Sequence, residues 1–291
     1  MKTRLLLCFV RLLLSFLVGA ACAQAGPQSF TTAIWPENKM PGHGAKEPET
    51  ELPSRAGFSR LTNVSRPDLK LFLVSKNRAV SPAVIVCPGG GYQHVVLDKE
   101  GTEIASWLNS LGISGLVLKY RVPSNREGAL QDLQRSLRLT RAHAAEWGIN
   151  PKRVGVIGFS AGGSLAARAS TSFGARTYPK IDPIDRLSCR PDFVLLVYPA
   201  YLNGKNGQVS PELNLKAKIP PTLIIHSEDD KKYVSGSKTY ATALDQTKTP
   251  HRLVLYKTGG HGYGLHCTKA AAAWPKAAAS WLGGLGVLSS K

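Results

Sequence analysis

The apolar residues of the chain fall into two kinds of run, and their alternation predicts a layered architecture. Ala83-Val84-Ile85-Val86-Cys87 is a continuous apolar stretch halted by Pro88 and three glycines. Gly115-Leu116-Val117-Leu118, Val154-Gly155-Val156-Ile157-Gly158, Phe193 to Val197 and Leu223-Ile224-Ile225-His226 repeat the pattern. Short runs without polar alternation are what strands buried on both faces of a parallel sheet require. Arg252 to Tyr256 reads as another strand, and the looser alternation from Leu61 to Val74 as one more. Between these runs the period changes to that of a helix. Asp98 can cap a helix ending near Gly112, and Ala129, Leu133, Leu137 and Ala144 mark an amphipathic helix over 127–147. Helices are also expected over Ala161 to Ala169, 234–246 and 268–282. Strands alternating with helices make βαβ units, so the fold class is α/β, a mostly parallel central sheet with helices on both faces.

The two ends of the chain read differently. Lys2 and Arg4 precede a nearly unbroken apolar stretch from Leu5 to Val18, followed by small residues around Ala21-Cys22-Ala23-Gln24-Ala25. Residues 1–25 thus read as a secretory signal peptide. Arg11 inside so short a stretch argues against a transmembrane anchor, which needs about 20 apolar positions. Gly19-Ala20-Ala21-Cys22 loosely resembles a lipobox, with Gly where that motif wants Leu. Residues 26–57, rich in Pro, Gly and charge, are expected to form an irregular arm, and 58–288 a single α/β domain. The expected location is secreted or periplasmic.

Composition adds less. The formal net charge is +18, and removing Lys2, Arg4 and Arg11 lowers it by three to +15. The cations are dispersed, which fits either a solvated basic surface or attraction to an acidic polymer. No nucleic-acid-binding motif accompanies them, so no nucleic-acid partner is expected. Without Cys8 and Cys22 three cysteines remain: Cys87 in an apolar run, and Cys189 and Cys267 as a possible disulfide. No His/Cys cluster has zinc spacing, and no metal or organic cofactor is expected.

Chemistry is looked for on the loops after the carboxyl ends of parallel strands. Ser160, in Gly158-Phe159-Ser160-Ala161-Gly162, follows one strand directly and opens a helix. A serine on so tight a turn, flanked by glycines, is the pattern of an exposed nucleophile with free backbone N–H groups beside it. Pro88-Gly89-Gly90-Gly91-Tyr92 follows an earlier strand, and its glycines let backbone N–H groups approach a substrate. Gly90, Gly91 and Ala161 are the candidate oxyanion donors. His226-Ser227-Glu228-Asp229-Asp230 ends a third strand. Asp230, with Asp229 as rival, is the candidate acid to orient an imidazole. His261, in Gly259-Gly260-His261-Gly262-Tyr263, follows the last strand and is the candidate general base, with His266 as reserve. Tyr92, His94, Tyr201 and Tyr263 are candidate substrate contacts.

The order of oxyanion loop, Ser160, Asp230 and His261 is that of the α/β-hydrolases, and the glycine loop resembles the HGGG loop of esterases and lipases. From Leu61 to His261 the chain resembles bacterial carbohydrate esterases of the acetylxylan-esterase-like subgroup. Val86 to Tyr92, Leu118-Lys119-Tyr120-Arg121, Ala129-Leu130-Gln131-Asp132, Ala144 to Ile149, Gly158 to Gly163 and His226 to Asp230 carry the likeness. The resemblance implies a serine esterase that removes acetyl groups from an acylated polysaccharide or oligosaccharide. Lys231-Lys232 stands where relatives often carry Pro, and puts positive charge beside the site. About 20 polar residues from Ala200 to Ile219 leave no room for an apolar helical lid, so no substantial cap domain is expected. The rival readings are a feruloyl or general carboxylesterase, a prolyl-oligopeptidase-like peptidase, for which the chain is short of a further domain, and a non-catalytic carbohydrate-binding protein on the same fold.

Overall fold

A computed structural model describes residues 28–74 and 80–288. The expected signal peptide and Cys22 lie outside them. Strands β1 (Gln28–Ala33), β4 (Asp68–Leu73), β5 (Ser81–Cys87), β6 (Ser114–Lys119), β7 (Ile149–Phe159), β8 (Val194–Val197), β9 (Thr222–Ser227) and β10 (His251–Tyr256) form one eight-stranded sheet. Its order is β1-β4-β6-β5-β7-β8-β9-β10, parallel from β6 to β10, with β1 and β4 antiparallel at one edge. The remaining strands, β2 (Thr50–Arg55) and β3 (Phe58–Thr62), form a separate hairpin.

The continuous apolar runs are buried because both faces of the sheet are covered. Along β5, Ala83, Ile85 and Cys87 enter one core while Val84 and Val86 enter the other. The first core is closed by α2 (Arg126–Ala142), α3 (Ala161–Ser172) and α4 (Val234–Gln246) through Leu133, Leu137, Leu165, Tyr240 and Leu244. The second is closed by α1 (Glu103–Ser110) and α5 (Trp274–Gly284) through Ile104, Leu108, Trp274, Ala278 and Leu282. Among the described residues no helix is long and apolar enough to cross a membrane, and none lies between β8 and β9.

Several expectations change. The 26–57 arm is not irregular throughout: β1 pairs with β4, and β2 builds the hairpin. The stretch 61–74 is not one strand, because β3 ends at Thr62 and β4 starts at Asp68. Asp98 does not cap a regular helix. It opens a π-type turn, Asp98–Thr102, and accepts from Ser59 N and Lys99 N. Helix α2 is not amphipathic in its setting, since every residue from Gly128 to Thr140 is buried. Its polar face is matched by partners: Arg135 pairs with Asp182 and Asp185, and Arg138 donates to Tyr178. The possible Cys189–Cys267 disulfide is not formed. Cys189 is buried in the first core and Cys267 packs on the second, so the sheet separates the two thiols.

Candidate active site

The parallel strand order reverses at β5, which has β6 on one side and β7 on the other. Such a switch point opens a crevice at the carboxyl ends of the strands. The loop after β5 carries Gly89 to Gly91, and the turn after β7 carries Ser160.

Ser160 adopts φ 50° and ψ −117°, backbone space that a non-glycine residue rarely occupies. Its N–H donates to Val197 O, and its carbonyl accepts from Ala200 N, so the strained turn is held from β8. The tight packing explains the flanking glycines: a Cβ on Gly162 would lie 2.0 Å from Cys87 O. Ser160 Oγ is 2.8 Å from His261 Nε2, and His261 Nδ1 is 2.6 Å from Asp230 Oδ2. With Nδ1–H donating to the carboxylate, Nε2 is left to accept the serine proton.

Asp230, 6% exposed, is fixed from a second side by a histidine to which the sequence analysis gave no role. His226 is fully buried, and its Nε2–H donates to the same Oδ2 at 2.8 Å, while Nδ1 accepts from Ser237. Burial pushes the Asp230 carboxyl up, but hydrogen bonds from His226 and His261 outweigh it and hold the group far below the usual carboxylate range. Burial lowers His226, against the pull of Asp230, so it stays neutral near pH 7. Asp229 does something else. Its carboxylate accepts from Gly259 N and Gly260 N and so shapes the loop that carries His261, and those bonds lower its pKa.

Opposite the serine, Gly90 has φ +135° and Gly91 φ +66°. A Cβ on Gly90 would lie 1.9 Å from His94 O, so no larger residue fits. Among the described residues the N–H groups of Gly90, Gly91 and Ala161 have no acceptor, which leaves all three free to bind a negative oxygen. A buried carboxylate that the sequence reading missed, Glu100, holds this loop. Gly89 N donates to Glu100 Oε2 at 2.8 Å, and Tyr198 Oη donates to Glu100 Oε1 at 2.9 Å. Tyr198 in turn accepts from Gly264 N, on the loop that carries His261. One carboxylate therefore links the two loops facing Ser160. Burial raises its pKa, against the hydrogen bonds from Tyr198 and Gly89.

Above these groups lies a cavity of about 560 Å³. Its floor includes Ser160, His261, Asp230, Gly90, Gly91 and Glu100, and its rim Tyr201, Tyr233 and Lys232. The β2–β3 hairpin supplies a further wall with Arg55, Ala56, Phe58 and Arg60. Ala56 and Gly57 both have positive φ, as a two-residue type I′ turn demands. The hairpin is seated by a Leu61–Val95 bridge, by Thr62 Oγ1 donating to Gln93 O, and by Ser59 N donating to Asp98.

Of the expected substrate contacts, His94 and Tyr201 line the cavity. Tyr92 and Tyr263 do not. Tyr92, 2% exposed, is buried beside Tyr120 and Tyr201, and Tyr263, 8% exposed, packs edge-on against Tyr198. His266, the reserve base, points to Glu103 at 2.6 Å and takes no part in the Ser160 constellation. Phe58, Tyr233, Arg55 and Arg60 were overlooked. Tyr233, three residues past Asp230, had a positional signal; the hairpin residues had none.

A strained serine beneath a glycine loop, at the switch point of a parallel sheet and bonded to a histidine and then an aspartate, defines a class: hydrolases that act through an activated hydroxyl. Comparison with known proteins agrees with it. The BD-FAE family model matches residues 69–183. The acetylxylan esterase of Xylanibacter ruminicola is 33% identical over 196 residues, 62% of this chain and 41% of that protein. The endo-1,4-beta-xylanase B of Butyrivibrio fibrisolvens is 28% identical over 205 residues, 62% of this chain and 32% of that protein. The chain thus spans less than half the length of either relative. Among solved structures, an acetyl ester-xyloside bifunctional hydrolase from Caldicellulosiruptor lactoaceticus matches at 30% identity and TM-score 0.75, over 91% of this chain and 99% of that one. MGS-M1, an α/β hydrolase from a Medee basin deep-sea metagenome library, matches at 25% identity and TM-score 0.62, over 84% and 99%. The chain belongs to the α/β-hydrolases, and its residues 69–183 match the BD-FAE family within them.

Proposed function

We propose that this chain is an exported serine esterase that removes acetyl groups from a polysaccharide such as xylan. The observation that carries the reading is the continuous relay Asp230–His261–Ser160, with links of 2.6 and 2.8 Å, opening into a cavity of about 560 Å³. Ser160 Oγ attacks the ester carbonyl carbon as its proton passes to His261 Nε2. The carbonyl oxygen becomes an oxyanion facing the N–H groups of Ala161, Gly90 and Gly91. Collapse breaks the bond to the sugar oxygen, which takes the proton back from His261 as the alcohol leaves. Water, deprotonated by His261, then attacks the acyl-enzyme; acetate departs and Ser160 regains its proton. Asp230 keeps the imidazole in the required tautomer throughout.

The acetylated glycan fits the company the chain keeps, an acetylxylan esterase and an acetyl ester-xyloside hydrolase among its relatives. Phe58, Tyr201 and Tyr233 offer rings against which sugar faces can stack. The same rings could receive an aromatic acyl group, which favours a feruloyl esterase as the second reading. Export rests on the character of residues 1–25. The test is acetate release from acetylated xylan beside hydrolysis of a feruloyl ester. Acetate release that vanishes in Ser160→Ala is expected. Release that persists in that variant overturns the mechanism, and faster feruloyl cleavage overturns the acyl assignment.

A further inference from the structure

The cavity wall is electrically one-sided. Four cations reach it from three segments: Arg55 and Arg60 on the hairpin, Lys99 in the π-type turn, and Lys232 just after Asp230. Only two carboxylates face them, and both are engaged elsewhere. Asp230 accepts from two histidines, and Glu100 accepts from Gly89 N and Tyr198 Oη. Among the described residues no acid forms an ion pair with any of the four cations.

Unpaired cations are to be expected on a chain with 37 Lys and Arg against 19 Asp and Glu, so their number alone decides nothing. Their placement does. Most arginines packed into the body have acids: Arg121 has Asp132, Arg135 has Asp182 and Asp185, Arg141 has Asp192, and Arg126 has Glu212, whereas buried Arg138 donates to Tyr178 Oη and the carbonyl of Leu187. Arg60 is half-buried and has no acid. It donates to the carbonyl of Pro53, and its Nε is buried without an acceptor. Lys99 Nζ sits 4.5 Å over the Phe58 ring and Lys232 Nζ 5.1 Å from the Tyr233 ring, so two aromatic walls each carry a cation. The field reaches the floor: burial, then Arg60 and Arg55, lowers the pKa of His94.

We propose that Arg55, Arg60, Lys99 and Lys232 form a subsite for an anionic substituent, a carboxylate or a sulfate ester, on a sugar flanking the acylated one. The proposal names the substrate class of the esterase reading and rests on that reading for its purpose, but the binding it asserts is measurable without turnover. Guanidinium forks and ammonium groups left without protein carboxylates are suited to such oxyanions. Neutral sugars would gain only the aromatic contacts.

The test is calorimetric titration of the intact protein with three ligands of one backbone length: a neutral xylo-oligosaccharide, its uronic-acid-substituted counterpart and a sulfated counterpart. At low salt at least one anionic ligand is expected to bind about ten-fold tighter than the neutral one, an advantage that shrinks at roughly 0.5 M salt. The Arg55→Gln/Arg60→Gln variant should lose most of that advantage, and Arg55→Lys/Arg60→Lys should keep part of it. If the glutamine variant does not fold, as judged by its thermal melt, Lys99→Gln/Lys232→Gln carries the same expectation. The uronate and sulfate arms tell which anion the subsite takes. Binding of both anionic ligands no tighter than the neutral one, absent binding included, overturns the proposal. So does an advantage that survives in folded glutamine variants, because the charge responsible would then lie elsewhere on the basic surface. Failure of the esterase reading is seen separately, as acetate release that persists in Ser160→Ala.

Discussion

The cavity has a floor and a wall built on opposite principles. On the floor, Ser160, His261, Asp230 and His226 are joined by short hydrogen bonds, Glu100 accepts from Gly89 N and Tyr198 Oη, and each sits at or just beyond the end of a sheet strand or on the turns beside it. The wall is a two-stranded hairpin, half-exposed to fully exposed, whose side chains toward the cavity, Ala56 apart, are cationic or aromatic and lack acid partners. A floor that must hold reacting atoms to a fraction of an ångström needs buried, mutually satisfied groups. A wall that must hold a variable polymer needs reach and charge and tolerates motion. Changes to the floor should therefore alter the rate of the chemical step, and changes to the wall should alter binding and leave chemistry comparatively intact.

The sharpest break in that comparison comes from Asp230→Asn. The substitution keeps the shape but removes the charge on which two histidines converge, and it allows the wrong tautomer of His261. A loss in kcat of about 10³–10⁴-fold on a small acetate ester is expected, with little change in KM. A loss of less than about ten-fold, measured by steady-state kinetics, would move the acid's role to another residue. Glu100→Gln comes next. The amide can accept one bond but not both, so either Gly89 N or Tyr198 Oη loses its acceptor and the glycine loop loosens. Misplaced oxyanion donors should lower kcat by about 10- to 100-fold. If KM moves instead of kcat, Glu100 shapes the cavity and does not position the loop.

How well the sequence could be read follows the same division. Strands β5 to β9 were legible because burial on both faces writes them as apolar runs, β10 because even at the sheet edge it is mostly apolar, and Ser160, Asp230 and His261 because each follows a strand in a glycine-rich or acidic turn. The wall was opaque for a physical reason. β2 has almost no buried face, so it carries no alternation, and β1 is a strand only because β4 lies beside it some 40 residues later. Glu100 and His226 were passed over because a buried acid and a solvated one look alike until their donors, Tyr198 and Gly89 in one case, are brought from distant segments. Tyr92 and Tyr263 misled in the opposite sense. They flank the right motifs, but their rings turn into the protein.

Acid should test the floor as a structure. His226 is held neutral by burial, so its unfolded form binds a proton that the folded form resists. The stability this represents is present above an unfolded pKa of about 6.5 and drains as pH falls through the lower folded value. Asp230, depressed in the fold, adds a loss of the same sign that begins near its unfolded value of about 3.9. His94 contributes in the first window as well. Thermal melts should therefore fall as the pH drops below about 6.5, and again below about 4. In His226→Asn the stability at neutral pH drops by about 1–3 kcal/mol for a broken buried hydrogen-bond pair, while the decline that begins near pH 6.5 becomes shallower. A decline of unchanged steepness would place the titrating group elsewhere.

The smallest effect should come from the wall. Phe58 stands at the hairpin turn with Lys99 over its ring and lines the cavity without contributing to either buried core. Phe58→Ala removes a stacking face and one support for a cation, but touches no group bonded to Ser160, His261 or Asp230. KM on an acetylated glycan should rise about three- to five-fold, the order of one aromatic contact at a half-exposed site. The kcat on the same substrate should move far less than KM, the reverse of the Glu100→Gln pattern. If Phe58→Ala instead lowers kcat as strongly as it raises KM, the hairpin takes part in positioning the ester for attack. Wall and floor would then be a single device, and the division drawn between them would fail at the one residue where they come closest to exchanging roles.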